Sequence, residues 1–324
     1  MTEAEWHQTD DPLAMNRWVE AHADPRRRSL VQVALCRRLG PLVTPDLGGV
    51  LDVRERVADA PATEAELGPL LDMLDETAAK ARRKLDRADD EYERALREQR
   101  GDRSDSPYPT AALIAGAEAL RARQAQQEAV AASVAIEMVR VAAFGCPDEC
   151  GPLIRLRDLA MEIGQRQADA SAHAELAANW EHRAEELAEQ FGRYPRRKGQ
   201  IAAQAQEWTD RGGHILEGML AKRTRDAAAR TRRGLVHVFR DLFGNPFRPV
   251  AFDSRWKTVD VVGLARGIYE DRAFDRMPLL ADSLMDAGCS EDQVIAHCRE
   301  PGAHYRGCWV VDAVLGLDCG PAVK

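Results

Sequence analysis

Aromatic residues make up only 6% of this 324-residue chain. With so few rings and 30% charged residues, and with alanine, glutamate, arginine and leucine recurring throughout, the composition favours long helices over sheets. No stretch approaches eighteen uninterrupted apolar residues, so no segment reads as a membrane-crossing helix. The sequence also lacks a phosphate-cradling glycine loop, H-E-x-x-H, G-x-S-x-G and the EF-hand spacing. The opening MTEAEWHQTDDP is acidic where a secretion leader needs a basic start and an apolar run, and a cytoplasmic location is the expectation. Seven cysteines, an odd number without an export signal, are expected to stay reduced. A formal charge of -8 argues against a surface that coats nucleic acid as a whole.

What remains points to an all-α protein in three segments. Residues 1–62 read as an N-terminal cap of short helices. Thr2 with Glu5 forms a capping box, and Asp11-Pro12, Asp24-Pro25 and Thr44-Pro45 each set a capping side chain before a proline suited to a first turn. Gly40 is placed to end the helix carrying Leu30, Val33, Ala34 and Leu39. Residues 63–242 read as an elongated antiparallel bundle with heptad seams. After a capping pair at Thr63 and Glu66, the first seam runs Leu67, Leu71, Leu74, Ala78, Ala81, Leu85, Ala88, Tyr92, Ala95, and a second follows from Leu113 to Val141. A third long helix, about 152–190, places alanines on its seam, RYPRRKG breaks it near Pro195, and Gly212-Gly213 separates two further helices. LFGNPFRPVAF ends the bundle, because two prolines beside Gly244-Asn245 are incompatible with a helix interior. Residues 243–324 then read as a small orthogonal module of short helices, with Ser290 and Gln293 capping one and Gly288 ending another.

Two ends of the chain resemble a large, multi-copy family of uncharacterised bacterial proteins. MTEAEW, ALCRRLG and RERVADAPATEAEL carry the N-terminal likeness. DLFGNPFRPVAFDSRW, ARGIYEDRAFDRMPLLADSLMDAGC and HCREPGAHYRGCWVVDAVLG carry the C-terminal one. Together they cover somewhat under half the chain, and the likeness brings no activity with it. Similar proteins tend to carry a cysteine pair before the Arg-Arg, where this chain has Leu35 and Cys36.

The stretch HCREPGAHYRGCWVVD gathers the chemistry. Cys298, His304 and Cys308 are spaced C-x5-H-x3-C, the sulfur and imidazole mixture that suits zinc, and Cys36 or His297 would complete four ligands. His297 and Cys298 point about 100° apart on a helix, so only one of them faces a given ion. The plainer reading makes Cys298 and Cys308 small buried hydrophobes beside Trp309, in a protein with no cofactor. A cysteine nucleophile is a sharper alternative, with Cys298 or Cys308 activated by His297 or His304 and oriented by Asp312. Against that, Asp312 would simply pair with Arg299 or Arg306. Cys146 and Cys150 in CPDEC sit in a turn between long helices and read as packed or solvated thiols.

Charge is uneven along the bundle. Between Arg193 and Arg233 stand eleven basic and four acidic residues, among them Arg196, Arg197, Lys198, Lys222, Arg223, Arg225, Arg230, Arg232 and Arg233. Such a stretch would draw nucleic acid or an acidic partner, although only Tyr194 and Trp208 are present to stack bases. Three functions therefore stand on these residues: a non-catalytic helical scaffold or interaction module, binding a protein partner or a second copy through its seams; a zinc-type metal protein; and a basic-patch nucleic-acid binder.

Overall fold

Side chains that cap their own helices set the first sixty residues. The computed structural model describes residues 1–60, 66, 68–100, 108, 110–145 and 152–317. The Thr2 hydroxyl accepts from the Glu5 amide while Glu5 accepts from the Thr2 amide, which starts α1 (Glu3–Gln8). Asp11, Asp24 and Thr44 cap α2 (Pro12–His22), α3 (Pro25–Arg37) and α4 (Pro45–Asp59), each with proline in the first turn. The third helix stops at Arg37, and Gly40, at φ 55°, opens a 3-10 turn rather than closing the helix. The expected Thr63 cap and the seam position Leu67 lie outside the described residues, as do Cys146 and Cys150.

Four long helices follow: α5 (Gly68–Arg100), α6 (Ala111–Phe144), α7 (Pro152–Arg193) and α8 (Lys198–Phe243). The last runs unbroken through Gly212-Gly213, so the expected helix boundary there is wrong; Gly212 instead makes room for the Trp180 ring. Beyond it come α9 (Val259–Asp271), α10 (Met277–Asp286), α11 (Asp292–Arg299) and α12 (Trp309–Leu315). Glu291 precedes α11 and no side chain caps it, so the Ser290 and Gln293 pair does not form the expected box. Every regular element among the described residues is helical, and none is long and apolar enough to cross a membrane.

The chain packs as two units that do not follow the three expected segments. The first takes Met1–Leu71, Met138–Asp158 and Arg232–Lys324, so the cap and the C-terminal module belong together; the second takes Asp72–Glu137 and Leu159–Thr231.

The second unit is an antiparallel four-helix bundle. Arg123 lies over the Tyr92 ring and Gln126 donates to Asp89, so residue numbers rise along α6 as they fall along α5. Arg121 pairs with Glu181, Arg166 donates to Gln127, and Gln165 donates to Thr224, repeating that relation from α6 to α7 and from α7 to α8. The seams face inward. Leu74, Ala88, Ala95, Leu113, Ala117, Ala131, Ile163, Ala170 and Ala177 are buried by the chain's own helices, which removes them as a surface for a second copy. Ala78, Ala81, Leu85 and Tyr92 on the same seam are half-buried, and Leu71 is exposed.

The first unit has short helices and directional bonds instead. Trp6 donates from its indole to the Gly244 carbonyl at 2.8 Å, and packs edge-on against Trp18, Phe243 and Phe247. Arg240 caps the carbonyls of Trp6, His7 and Thr9. An ion network joins α3 and α4 to α9 and α12. Arg26 holds Asp312 with both terminal nitrogens and meets Asp59 and Tyr269, while Arg272 reaches Glu55 and Asp52. Burial pushes the Asp312 carboxyl above its ordinary range, against the pull of Arg26.

Candidate metal centre

Asp241 stands in the last turn of α8, on the face that also buries Leu235, Val238 and Leu242. An acid there is desolvated, and its carboxylate needs partners. Three come from the C-terminal module. His304 Nδ1 lies 2.6 Å from Asp241 Oδ1, His297 Nε2 lies 3.3 Å from the same oxygen, and the Tyr305 backbone amide donates to Oδ2 at 2.9 Å. Burial raises the Asp241 carboxyl, but the bonds from His297 and His304 outweigh it and hold the group below the ordinary aspartate value.

The loop that brings His304 is fixed from both sides. His237, one turn before Asp241 on α8, meets the Ala303 carbonyl at 2.7 Å, and an added side-chain carbon at Gly302 would sit 2.9 Å from the His237 ring. Gly307 has φ 94°, and any larger residue would press on Leu30 at 2.8 Å. That glycine turns the chain into Cys308, the residue before α12, whose amide donates to the Tyr305 carbonyl. Cys308 Sγ thereby comes 3.1 Å from His297 Nε2.

Asp241, His297, His304 and Cys308 each offer one donor atom, and these atoms all lie within 4.8 Å of one another, close enough to hold a metal ion. The side chains are almost inaccessible: 0% exposed for Asp241, 3% for His304 and 9% for His297, with Cys308 fully buried. His304 Nε2 is buried and has no hydrogen-bond partner among the described residues.

Of the expected ligands, the structure brings His304 and Cys308 together and adds His297. It leaves Cys298 and Cys36 outside. Cys298, the helical neighbour of His297, turns instead into the core of α9, α10 and α12, and burial pushes its thiol up to about 12. Cys36 donates to the Met138 carbonyl at 3.5 Å in another part of the unit. Asp241 was not foreseen. Its one signal in the sequence is a carboxylate on the apolar face of VHVFRDLF, where a solvated acid has no place.

The geometry does not make a nucleophile relay. One nitrogen of His297 meets both Cys308 and Asp241, whereas a relay divides the base and the orienting acid between the two ring nitrogens. Burial raises the Cys308 thiol well above its ordinary value, and reactive cysteines sit in the opposite environment. Asp312 faces Arg26 rather than this cluster. Its expected partners are taken elsewhere, Arg299 by Asp282 and Arg306 by Asp59.

The basic stretch falls into two groups, one at the turn before α8 and one along α8 itself. Arg196 and Arg197 lie in the 3-10 turn Pro195–Arg197, with Arg197 over the Tyr194 ring, and Lys198 begins α8. Lys222, Arg225, Arg230, Arg232 and Arg233 are exposed along α8, and Arg223 is drawn to Glu175 and Ser171. Compared with protein-family models, with curated proteins and with solved structures, the chain matches none.

Proposed function

We propose that the protein is a non-catalytic helical scaffold whose first unit is fastened by a buried zinc-type centre of Asp241, His297, His304 and Cys308. One observation carries this reading: a carboxylate, two imidazoles and a thiol from two separate stretches of chain converge within 4.8 Å in a closed interior. A tetrahedral zinc ion with bonds of about 2.0–2.3 Å sets its ligand atoms roughly 3.3–3.6 Å apart. The 3.3 and 3.1 Å separations around His297 are near those edges. The 2.6 Å separation between His304 and Asp241 is a hydrogen bond that an ion would replace and lengthen.

Four protein ligands leave no open position for substrate, and near-complete burial shuts out water; both are marks of a structural site. The supports around the ligands fit the same role. Tyr305 holds the second oxygen of Asp241, and the Ala303 carbonyl on His237 fixes the loop that delivers His304. All four residues fall within DLFGNPFRPVAFDSRW and HCREPGAHYRGCWVVDAVLG, the stretches that carry the likeness to the bacterial family.

The test is the metal content of untagged protein purified without chelator, measured by elemental mass spectrometry on wild type, Cys308→Ser, His297→Gln and Cys298→Ser. The expected result is about one zinc per chain in wild type and Cys298→Ser, and a loss in the other two. Reloading with cobalt should give a thiolate-to-metal absorption band that needs Cys308. Protein that stays empty after incubation with zinc, or that keeps its metal without Cys308 and His297, overturns the reading.

A further inference from the structure

The second unit holds a partly open cavity of about 250 Å³ lined by all four of its helices. Leu96, Leu120, Leu176 and Leu216 supply apolar wall, one from each helix. The polar groups are fewer and lie at two levels. Arg123 and His173 share one level with Tyr92; Trp180 marks the other, against Gly116 and Gly212. Seven residues separate Gly116 from Arg123 on α6, and seven separate His173 from Trp180 on α7. At 1.5 Å per residue the two levels are about 10 Å apart.

Each level has a group that asks for something. Trp180 is 5% exposed, and its buried indole N–H has no hydrogen-bond partner among the described residues, an unfavourable state for a buried donor. Arg123 is the one charged side chain on the cavity wall among the described residues. Its guanidinium is held in place by the Tyr92 ring and by Gln126, itself anchored on Asp89, and it is paired with no carboxylate among the described residues. His173 gives its Nδ1 to the Asp169 carbonyl 2.6 Å away, which leaves the other ring nitrogen for the cavity side.

The glycines separate packing from vacancy. A side-chain carbon at Gly116 or Gly212 would overlap the Trp180 ring, so these two make the slot that the indole fills. Gly213 is different: it is helical, an added carbon there meets nothing within 4 Å, and a mid-helix glycine is less stable than alanine. Neither backbone conformation nor neighbouring atoms require glycine at this exposed edge of the cavity.

We propose that this cavity is a binding site for a small apolar carboxylate about 10 Å long, its carboxylate paired with Arg123 and its far end beside the Trp180 indole. A phosphate or sulfate, small and multiply charged, would leave the leucine wall uncovered and has a single cation to meet. An amine would face Arg123 with the wrong sign.

The experiment uses the full-length protein and four probes: octanoate, 8-hydroxyoctanoate, octanol and octylamine. Binding is followed by calorimetry and by the indole N–H resonance of Trp180, assigned with Trp180→Phe. Octanoate is expected to bind and to shift that resonance, and 8-hydroxyoctanoate to bind more tightly by offering the indole an acceptor. Arg123→Gln should weaken both acids roughly tenfold and leave octanol unchanged. Gly213→Leu should weaken all of them, with thermal melting showing that the variant is folded. Failure of every probe to bind at millimolar concentration, octylamine binding as well as octanoate, or affinities indifferent to both substitutions would overturn the proposal.

Discussion

The two units answer the same problem, burying polar and bulky groups among helices, in opposite ways. In the first, short helices are locked by directional bonds. Asp241 takes three donors, and Arg26 spreads its guanidinium over Asp59, Asp312 and Tyr269. In the second, long helices repeat small residues, and one large indole is accommodated by deleting side chains opposite it. Directional bonding fixes one geometry and fails sharply when a partner is lost. Size matching fails by overlap, and it leaves space where the match is incomplete.

That contrast can be broken from either side. The largest effect is expected from Asp312→Ala. It strips the buried Arg26 of its doubly held partner, and loss of one member of a buried pair costs about 3–5 kcal/mol; Asp59 and Tyr269 keep the figure toward the lower end. Urea unfolding followed by circular dichroism would measure it, and a change below about 1 kcal/mol would show the network to be dispensable. Next comes Gly212→Ala, whose new carbon overlaps the Trp180 ring and should destabilise by about 1–3 kcal/mol through overpacking. Combining it with Trp180→Phe should recover part of that loss.

The neighbouring substitution sharpens the comparison because its sign reverses. Gly213→Ala meets open space and should stabilise by up to about 1 kcal/mol, seen as a rise in melting temperature. A loss there would mean that the two glycines serve the same purpose. The smallest effect concerns pH. Burial, the largest influence on His173, holds its imidazole below the ordinary value of 6.5, so the unfolded chain takes up a proton more readily than the folded one. Its contribution is therefore complete above about 6.5 and declines as pH falls below it. His173→Gln should flatten the fall in stability between neutral and mildly acidic pH, measured by denaturant midpoints across that range.

These positions also show how far the sequence could be read. Helix starts were legible at Thr2, Asp11, Asp24 and Thr44 because the capping side chain and the amide it serves are two or three residues apart. The three seams were legible because period alone identifies a buried stripe. Gly212-Gly213 misled, since a glycine pair in a turn and one facing an indole look alike, and the indole stands 32 positions upstream. The centre was half legible. His304 and Cys308 are four residues apart and drew notice together. Helical geometry said that only one of His297 and Cys298 could face an ion without saying which, and Asp241 lies 56 positions before the nearest of its partners.

One consequence of the first unit concerns time. The Trp6 indole is satisfied by the carbonyl of a residue 238 positions later. During synthesis at about 5–20 residues per second, that gap is roughly 12–50 seconds in which the opening helices have emerged and their covering partners have not. The residues of the second unit, by contrast, are all made before the last part of the first begins at Arg232. The bundle can therefore assemble while Trp6 and Leu30 still wait for Gly244 and Gly307 to cover them.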